Sequence, residues 1–447
     1  MTAQEARFVP SAYFDAAFEV ARFLDDHRIE TDHGTMWQRC VESPDAGGHS
    51  LYHGSAGILL FHLELHRTTG DVRYLDVATS AGREIVSFLD NRKGLSVAVA
   101  TGWPGYAMVL TELADATGDD AFRAAAARCL EQLRSQAAEL GSGIGWIEPM
   151  PFSDITGHKG DREIYDQSVG AAGAGLVLLQ AHRRDVHPEA LVWAQAVADR
   201  LLDVAEYDAD GLRWKLMSDM PFPFTAPNFA HGGAGVGYFL ADMHRQTGEV
   251  RYLDAAIEAA RYVRSRATPT GDGLLVCHTE EADPPIFYLG ACHGPAGTGR
   301  LFMLLSAITG DESWLTTTHS LTTGLLATGA PEVRSVGLWN NNSQCCGDAG
   351  IGDYALFLNR TAGDSASLDL ATRCADELLR LRVAAGAARA WPQAEHRVRP
   401  RFVETQTGYM QGAAGIGSFL LHFATSVQGD PVKIPLADMP VLSRAGG

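Results

Sequence analysis

Cys345 and Cys346 are adjacent, in a polar stretch that begins Asn340-Asn341-Asn342-Ser343-Gln344 and runs into Gly347 and an apolar helical segment. A related stretch, Cys292-His293-Gly294-Pro295-Ala296-Gly297, lies upstream. Thiolates and imidazoles suit Zn²⁺, and three protein ligands with an open fourth position is the catalytic arrangement of that metal. Cys292, Cys345 and Cys346 supply three thiols, and His293 is an alternative to one of them. Buried cysteines also serve as small hydrophobes. That reading suits Cys129 and Cys374, on amphipathic segments, and Cys40 and Cys277; it suits a Cys-Cys pair in a polar loop poorly. His231 and Asp166 form a second candidate set, because a carboxylate can orient an imidazole for proton transfer near neutral pH. The competing reading has His231 bonding a turn and Asp166 capping the helix behind it. His53 reads as structural or substrate-contacting.

These residues share an address. A Gly-x-x-Gly motif followed by an apolar run recurs seven times, beginning at Gly54, Gly102, Gly170, Gly232, Gly294, Gly347 and Gly412. Cys292 and Cys345 stand two residues before a first glycine, His53, His231, His293 and Cys346 one before, and Asp166 four before. Several apolar runs stop at Thr-Gly-acid, as in Thr69-Gly70-Asp71 and Thr309-Gly310-Asp311. Glycine suits a left-handed helix terminus, and an acid suits the start of the next helix. An amphipathic segment follows each stop, and residues 13–27 supply the first of that kind. Seven amphipathic helices therefore alternate with seven apolar ones. The arrangement that buries both is an inner ring of helices inside an outer ring, an all-α fold of the α/α-toroid (double-barrel) class, read as a single domain over residues 1–447. All seven motifs then lie at one end, with the long connections 141–167, 207–230, 269–291 and 388–410. These connections carry Trp146, Trp214, Trp391 and many prolines, which favours ordered, substrate-facing walls. Dinucleotide binding by Gly-x-x-Gly is set aside, since no βαβ pattern surrounds any copy.

Composition excludes other classes. A net charge of −18 argues against nucleic-acid binding. Hydrophobic content of 46% and charged content of 20% are those of an ordinary globular protein. No apolar run has the length of a membrane span. Residues 1–7 lack an apolar signal-peptide core, and residues 443–447 lack a lipidation signal. An odd number of cysteines over a long chain favours reduced thiols, hence a cytoplasmic protein.

The seven Gly-x-x-Gly starts, Tyr165-Asp166, Ala230-His231-Gly232, Cys292 and the Cys-x-Gly at Cys345 together resemble the lanthionine synthetase C-like cyclases over almost the whole chain. The resemblance implies an α/α toroid with one central zinc ion. It implies an activity that adds a peptide cysteine thiol to dehydroalanine or dehydrobutyrine, forming a thioether ring of a lanthipeptide. Cys292 and Cys345 match two zinc ligands of the family. Cys346 stands where histidine is common, and resembles a Cys-Cys-Gly subgroup with three thiolates. His231 matches the catalytic histidine and Asp166 its partner. His293 departs from the family, where an aromatic residue often follows the first zinc cysteine. The substrate so implied is a dehydrated precursor peptide, supplied by a separate dehydratase.

Three other functions compete. A family member of another kind adds glutathione to dehydroamino acids. A metal-free α/α-toroid glycoside hydrolase would need two carboxylates, for which Asp166, Asp348 and Glu404 are candidates. A non-catalytic peptide-binding toroid would keep the ligands and lack activity.

Overall fold

The computed structural model describes residues 11–439 apart from Asn91, Phe152 and Ala387. The readings made on residues 1–7 and 443–447 lie outside the described residues. Helices carry the architecture: α1 (Ala12–Asp26), α2 (Ser55–Thr69), α3 (Val72–Asp90), α4 (Trp103–Thr117), α5 (Asp120–Ser135), the single turn α6 (Ser153–Thr156), α7 (Ala171–Arg183) and α8 (Ala190–Asp203). They continue as α9 (Gly233–Thr247), α10 (Val250–Ser265), α11 (Pro295–Thr309), α12 (Glu312–Ala327), α13 (Asp348–Ala362), α14 (Ser365–Leu381) and α15 (Ala413–Val427). Each Gly-x-x-Gly opens one of α2, α4, α7, α9, α11, α13 and α15, as its spacing predicts. The strands between helices are two to six residues long; most pair with a neighbour in sequence, whereas Phe287–Tyr288 pairs in parallel with Leu338–Trp339.

The motif works through close approach. At Gly102 a Cβ would lie 1.8 Å from the carbonyl oxygen of Ser96, and at Gly232 it would lie 2.0 Å from that of Ala226. The preceding loop thus folds over the helix start, which only glycine permits. Its carbonyls accept from the first free amides of the helix: Ala171, Ala172 and Gly173 donate to Ile164, Tyr165 and Asp166. These amides would otherwise lack partners. At the start of α7 they are spent on the preceding loop.

The Thr-Gly-acid stops form one bracket, repeated. Thr309 Oγ1 donates to the Leu305 carbonyl at 2.7 Å and accepts from the Asp311 amide at 3.1 Å. Gly310 between them has φ 70°, and Asp311 caps α12 by accepting from the Ser313 amide at 2.9 Å. Thr69, Thr117 and Thr247 make the same pair of bonds.

The described chain divides into two compact units, with α4 and α5 shared between them. In one unit, α15 packs against α13 on one side and α2 on the other, and α1 packs on α15. The last apolar helix of the chain thus sits directly beside the first. In the other unit, α9 lies between α7 and α11, and each is backed by its amphipathic successor: α8, α10 and α12.

A hairpin follows each of several outer helices and lies on the next outer helix. Strand Gly143–Gly145 packs on α8, Gly211–Arg213 on α10, Gly273–Val276 on α12, and Ala388–Ala390 on α1. Tryptophans lock three of them. Trp146, Trp214 and Trp391 donate their indole N–H to the carbonyls of Leu133, Leu201 and Leu378, at 2.8, 2.7 and 2.8 Å. All three are buried. They satisfy free carbonyls near the ends of α5, α8 and α14. The tryptophans thus order the connections that carry them, and the indoles themselves face inward, onto the helices they terminate.

The C-terminal segment carries no repeat signal, yet it enters the core. Lys433 is buried and donates to Asp353 at 2.7 Å and to Ser418 at 2.8 Å. Asp353 also bonds His422 at 2.7 Å, and Glu64 accepts from the Ile434 amide at 2.9 Å. These groups lie on α2, α13 and α15, so the segment ties three apolar helices together by charge. In the other unit, Asp438 pairs with the buried Arg300 of α11 at 2.8 Å.

Candidate metal and acid–base site

Cys345 and Cys346 sit in the loop that enters α13. Their sulfur atoms are 3.5 Å apart. The loop is held by its own polar side chains. Ser343 Oγ accepts from the Cys346 amide at 3.1 Å and donates to Asn341 Oδ1 at 2.7 Å. The Cys345 amide donates to the Met410 carbonyl at 2.9 Å. Gln411 Nε2 approaches Cys346 Sγ at 3.6 Å and donates to the Tyr52 hydroxyl at 2.9 Å. Burial, with the charges of Cys345, Glu395 and Cys346, pushes the Tyr52 phenol well above its usual range, so it stays protonated. The Asn-rich run before the cysteines is therefore a scaffold for them.

His53, beside Tyr52, bonds Glu395 Oε2 at 3.2 Å. Burial pushes Glu395 up, but the His53 bond and charge and the Gln406 amide prevail and hold it at about 2. His53 is thus engaged by a carboxylate of the loop after Trp391.

Asp166 is buried, and both its oxygens are used. Oδ1 accepts from the Val169 amide at 2.7 Å, which caps the loop into α7, and Oδ2 faces His231 Nδ1 at 2.7 Å. The capping role and the histidine contact therefore coexist in one carboxylate. With Nδ1 donating to Asp166, the second titrating position of the His231 ring is Nε2.

His293 is buried, and its Nδ1 has no hydrogen-bond partner among the described residues. Its ring lies 4.9 Å from that of His231 and 4.4 Å from that of His278. Burial, reinforced by those two imidazoles, holds its pKa well below the usual histidine range. His278 stacks on Tyr288 at 4.4 Å. Neither His278 nor Tyr288 was singled out from sequence as a site residue. His278 has no fixed offset from a Gly-x-x-Gly motif; only the return of the chain from strand Gly273–Val276 brings it to His293.

Among the described residues, one group could hold a metal ion: Cys292, Cys345 and Cys346, with sulfur atoms all within 4.8 Å of one another. Three sulfurs at Zn–S distances of about 2.3 Å on a tetrahedron stand about 3.8 Å apart. The 3.5 Å Cys345–Cys346 separation is close to that spacing, so the donor set fits zinc. His293 is not in the group. Of the glycosidase candidates, Asp348 accepts from Asn340 at 2.6 Å, and Glu404 is paired with Arg39.

The family described as lanthionine synthetase C-like protein matches residues 45–436. A search of curated proteins finds no match. Among solved structures, nisin cyclase resembles the chain with TM-score 0.64 and 14% identity, covering 95% of this chain and 96% of that one. The cellobiose 2-epimerase of Bacillus thermoamylovorans B4167 resembles it with TM-score 0.53 and 11% identity, covering 92% and 98%. At such identities the likeness is one of fold, and the fold is the all-α, α/α-toroid class read from the repeat. Among the described residues, no helix is long and apolar enough to cross a membrane.

Proposed function

The chain belongs to the lanthionine synthetase C-like family, and from that premise we propose that it is a zinc-dependent cyclase of dehydrated peptides. In this reading the chain acts as one cyclase domain, in the cytoplasm. It adds peptide cysteine thiols to dehydroalanine or dehydrobutyrine, closing lanthionine and methyllanthionine rings, and a separate dehydratase makes its substrate. The observation that carries the reading is the group of three thiols within 4.8 Å of one another. Cys292, Cys345 and Cys346 would hold one zinc ion, which when bound supplies a Lewis-acid position where a peptide thiol is deprotonated near neutral pH.

The chain's own residues do the rest. Gln411 directs an amide donor at Cys346 Sγ and so favours the thiolate form of that ligand. His231 is assigned the proton chemistry. His231 Nε2 takes the proton that the thiol gives up; as the carbon–sulfur bond forms at the β-carbon, the displaced electron pair makes an enolate, and His231 Nε2 delivers that proton to the α-carbon. Asp166 orients the ring through Nδ1 and stabilises its protonated form. His293, buried and neutral, is a wall beside His231, and His53 is bound to Glu395.

The test is metal analysis of the purified protein beside Cys292→Ala, Cys345→Ala and Cys346→Ala, joined to a cyclisation assay. A dehydrated peptide is incubated, its remaining thiols are alkylated, and mass spectrometry counts the unlabelled cysteines. Stoichiometric zinc that is lost in all three variants, together with loss of ring closure, is expected. Zinc kept without Cys346 would transfer that ligand role to His293. Ring formation by metal-free protein would overturn the reading, and glutathione adducts in place of rings would redirect it to the other activity of the family.

A further inference from the structure

Residues 396–403, His-Arg-Val-Arg-Pro-Arg-Phe-Val, form a basic and apolar loop in a chain of net charge −18. The loop joins the paired strands Gln393–Ala394 and Val403–Glu404. It is turned by bonds from the Arg399 amide to the His396 carbonyl at 2.9 Å and from the Phe402 amide to the Arg399 carbonyl at 3.0 Å. At its tip Arg399, Pro400 and Arg401 are exposed. So are Val398 and Phe402, each 58%, and Val403, 48%.

The carboxylates at the root of the loop are already engaged. Glu395 is bonded by His53 and Gln406, and Glu404 is paired with Arg39. Among the described residues none forms an ion pair with Arg397, Arg399 or Arg401. Arg397 Nε is moreover buried without a hydrogen-bond partner among the described residues. Leaving a charged donor desolvated and unpaired is unfavourable, and an arriving carboxylate would relieve it.

The root of the loop is also close to the thiols within the same unit. Glu395 bonds His53; its neighbour Tyr52 accepts from Gln411, which also approaches Cys346 Sγ. We propose that this loop docks an acidic segment of the peptide substrate, with apolar residues between its carboxylates, outside the part that reacts. The occupant rests on the cyclase reading above. Arginines in a preformed loop favour bidentate carboxylates, and Phe402 with two valines favours apolar side chains among them. A polyanionic surface, such as nucleic acid or an acidic membrane, would be repelled by the rest of this acidic protein, whereas a short peptide is repelled little.

The test uses fluorescence anisotropy on the full chain. The labelled probe is a synthetic peptide of alternating Asp/Glu and Leu/Phe, without cysteine or dehydro residues, so binding is read whether or not ring closure occurs. Its control has Lys in place of each acid. Expected is binding of the acidic probe only, weakened by salt, and about tenfold or more weaker in Arg397→Glu/Arg399→Glu/Arg401→Glu. Phe402→Ser, read in the same assay, keeps the test available should the triple variant not fold, and is expected to weaken binding too. Equal affinity of wild type and folded variant, or of both probes, would overturn the proposal. So would arginine-dependent binding to phosphatidylserine vesicles in place of the acidic probe, which would make the loop a membrane contact.

Discussion

Cysteine at position 346 distinguishes the candidate metal site from one with two thiolates and an imidazole. Three thiolates over-neutralise a dication, so a fourth, incoming thiolate is held less tightly and attacks more readily. Cys346→His is therefore expected to slow thiol addition at equal zinc occupancy, measured by single-turnover cyclisation with metal content determined on the same sample; a faster variant would refute this. Asp166 is the other decisive residue, because one carboxylate both caps a loop and orients His231. Asp166→Asn is expected to lower the cyclisation rate about 100-fold, within the range general acid–base groups supply, while zinc content stays as in the wild type. Position before the glycine was enough to mark Cys292, Cys345, Cys346, His231 and Asp166 in the sequence, because a repeat makes equivalent offsets meaningful. It could not mark His278, whose place beside His293 is set by a hairpin and not by an offset.

Helices were legible for the same reason. The Thr-Gly-acid stop is a local device, complete within the nine residues from Leu305 to Ser313, so it reads directly from the chain. The partners of the tryptophans were not legible, because they are 13 residues upstream, at a helix end, and an indole in a long loop looks the same in sequence whether it faces in or out. Their structural role makes a definite prediction. Trp214→Ala removes a buried ring and uncaps the Leu201 carbonyl, so it is expected to cost about 3–5 kcal/mol and to lower the denaturant midpoint, with zinc affinity of the folded protein retained. A glycine exchange acts differently. Gly415→Ala would bring a Cβ within 1.8 Å of the Tyr409 carbonyl oxygen, so the start of α15 must shift. About 1–3 kcal/mol of destabilisation is expected in the same unfolding measurement.

The largest feature absent from the sequence reading is the charged tie made by the C-terminal segment, since it has neither repeat nor periodicity. Burial pushes Glu64 up from 4.5 to about 6, against the pull of Lys433. A carboxyl whose folded pKa is raised binds its proton more tightly folded than unfolded. Its contribution is therefore most favourable below pH 4.5 and declines as pH rises to about 6, by about 2 kcal/mol at 1.36 kcal/mol per pKa unit. Asp353 has the opposite sign: Lys433 and His422 hold it far below its usual range despite burial, so its contribution is lost as pH falls through that range. Glu64→Gln is expected to flatten the decline between pH 4.5 and 6 and to leave the acid limb, checked by denaturant unfolding across that window.

The packing of α15 between α2 and α13, with α1 lying on it, also orders events during synthesis. The first helix leaves the ribosome some 400 residues before its partner, which begins at Ala413. At about 5–20 residues per second this is a wait of roughly 20–80 s. Throughout it the inward face of α1, with Phe14, Val20, Phe23 and Leu24, lacks α15, the helix that packs on it most. Nascent chains arrested short of Ala413 should therefore be held by chaperones and cut readily by protease, and protection should arrive in one step when the last helix emerges.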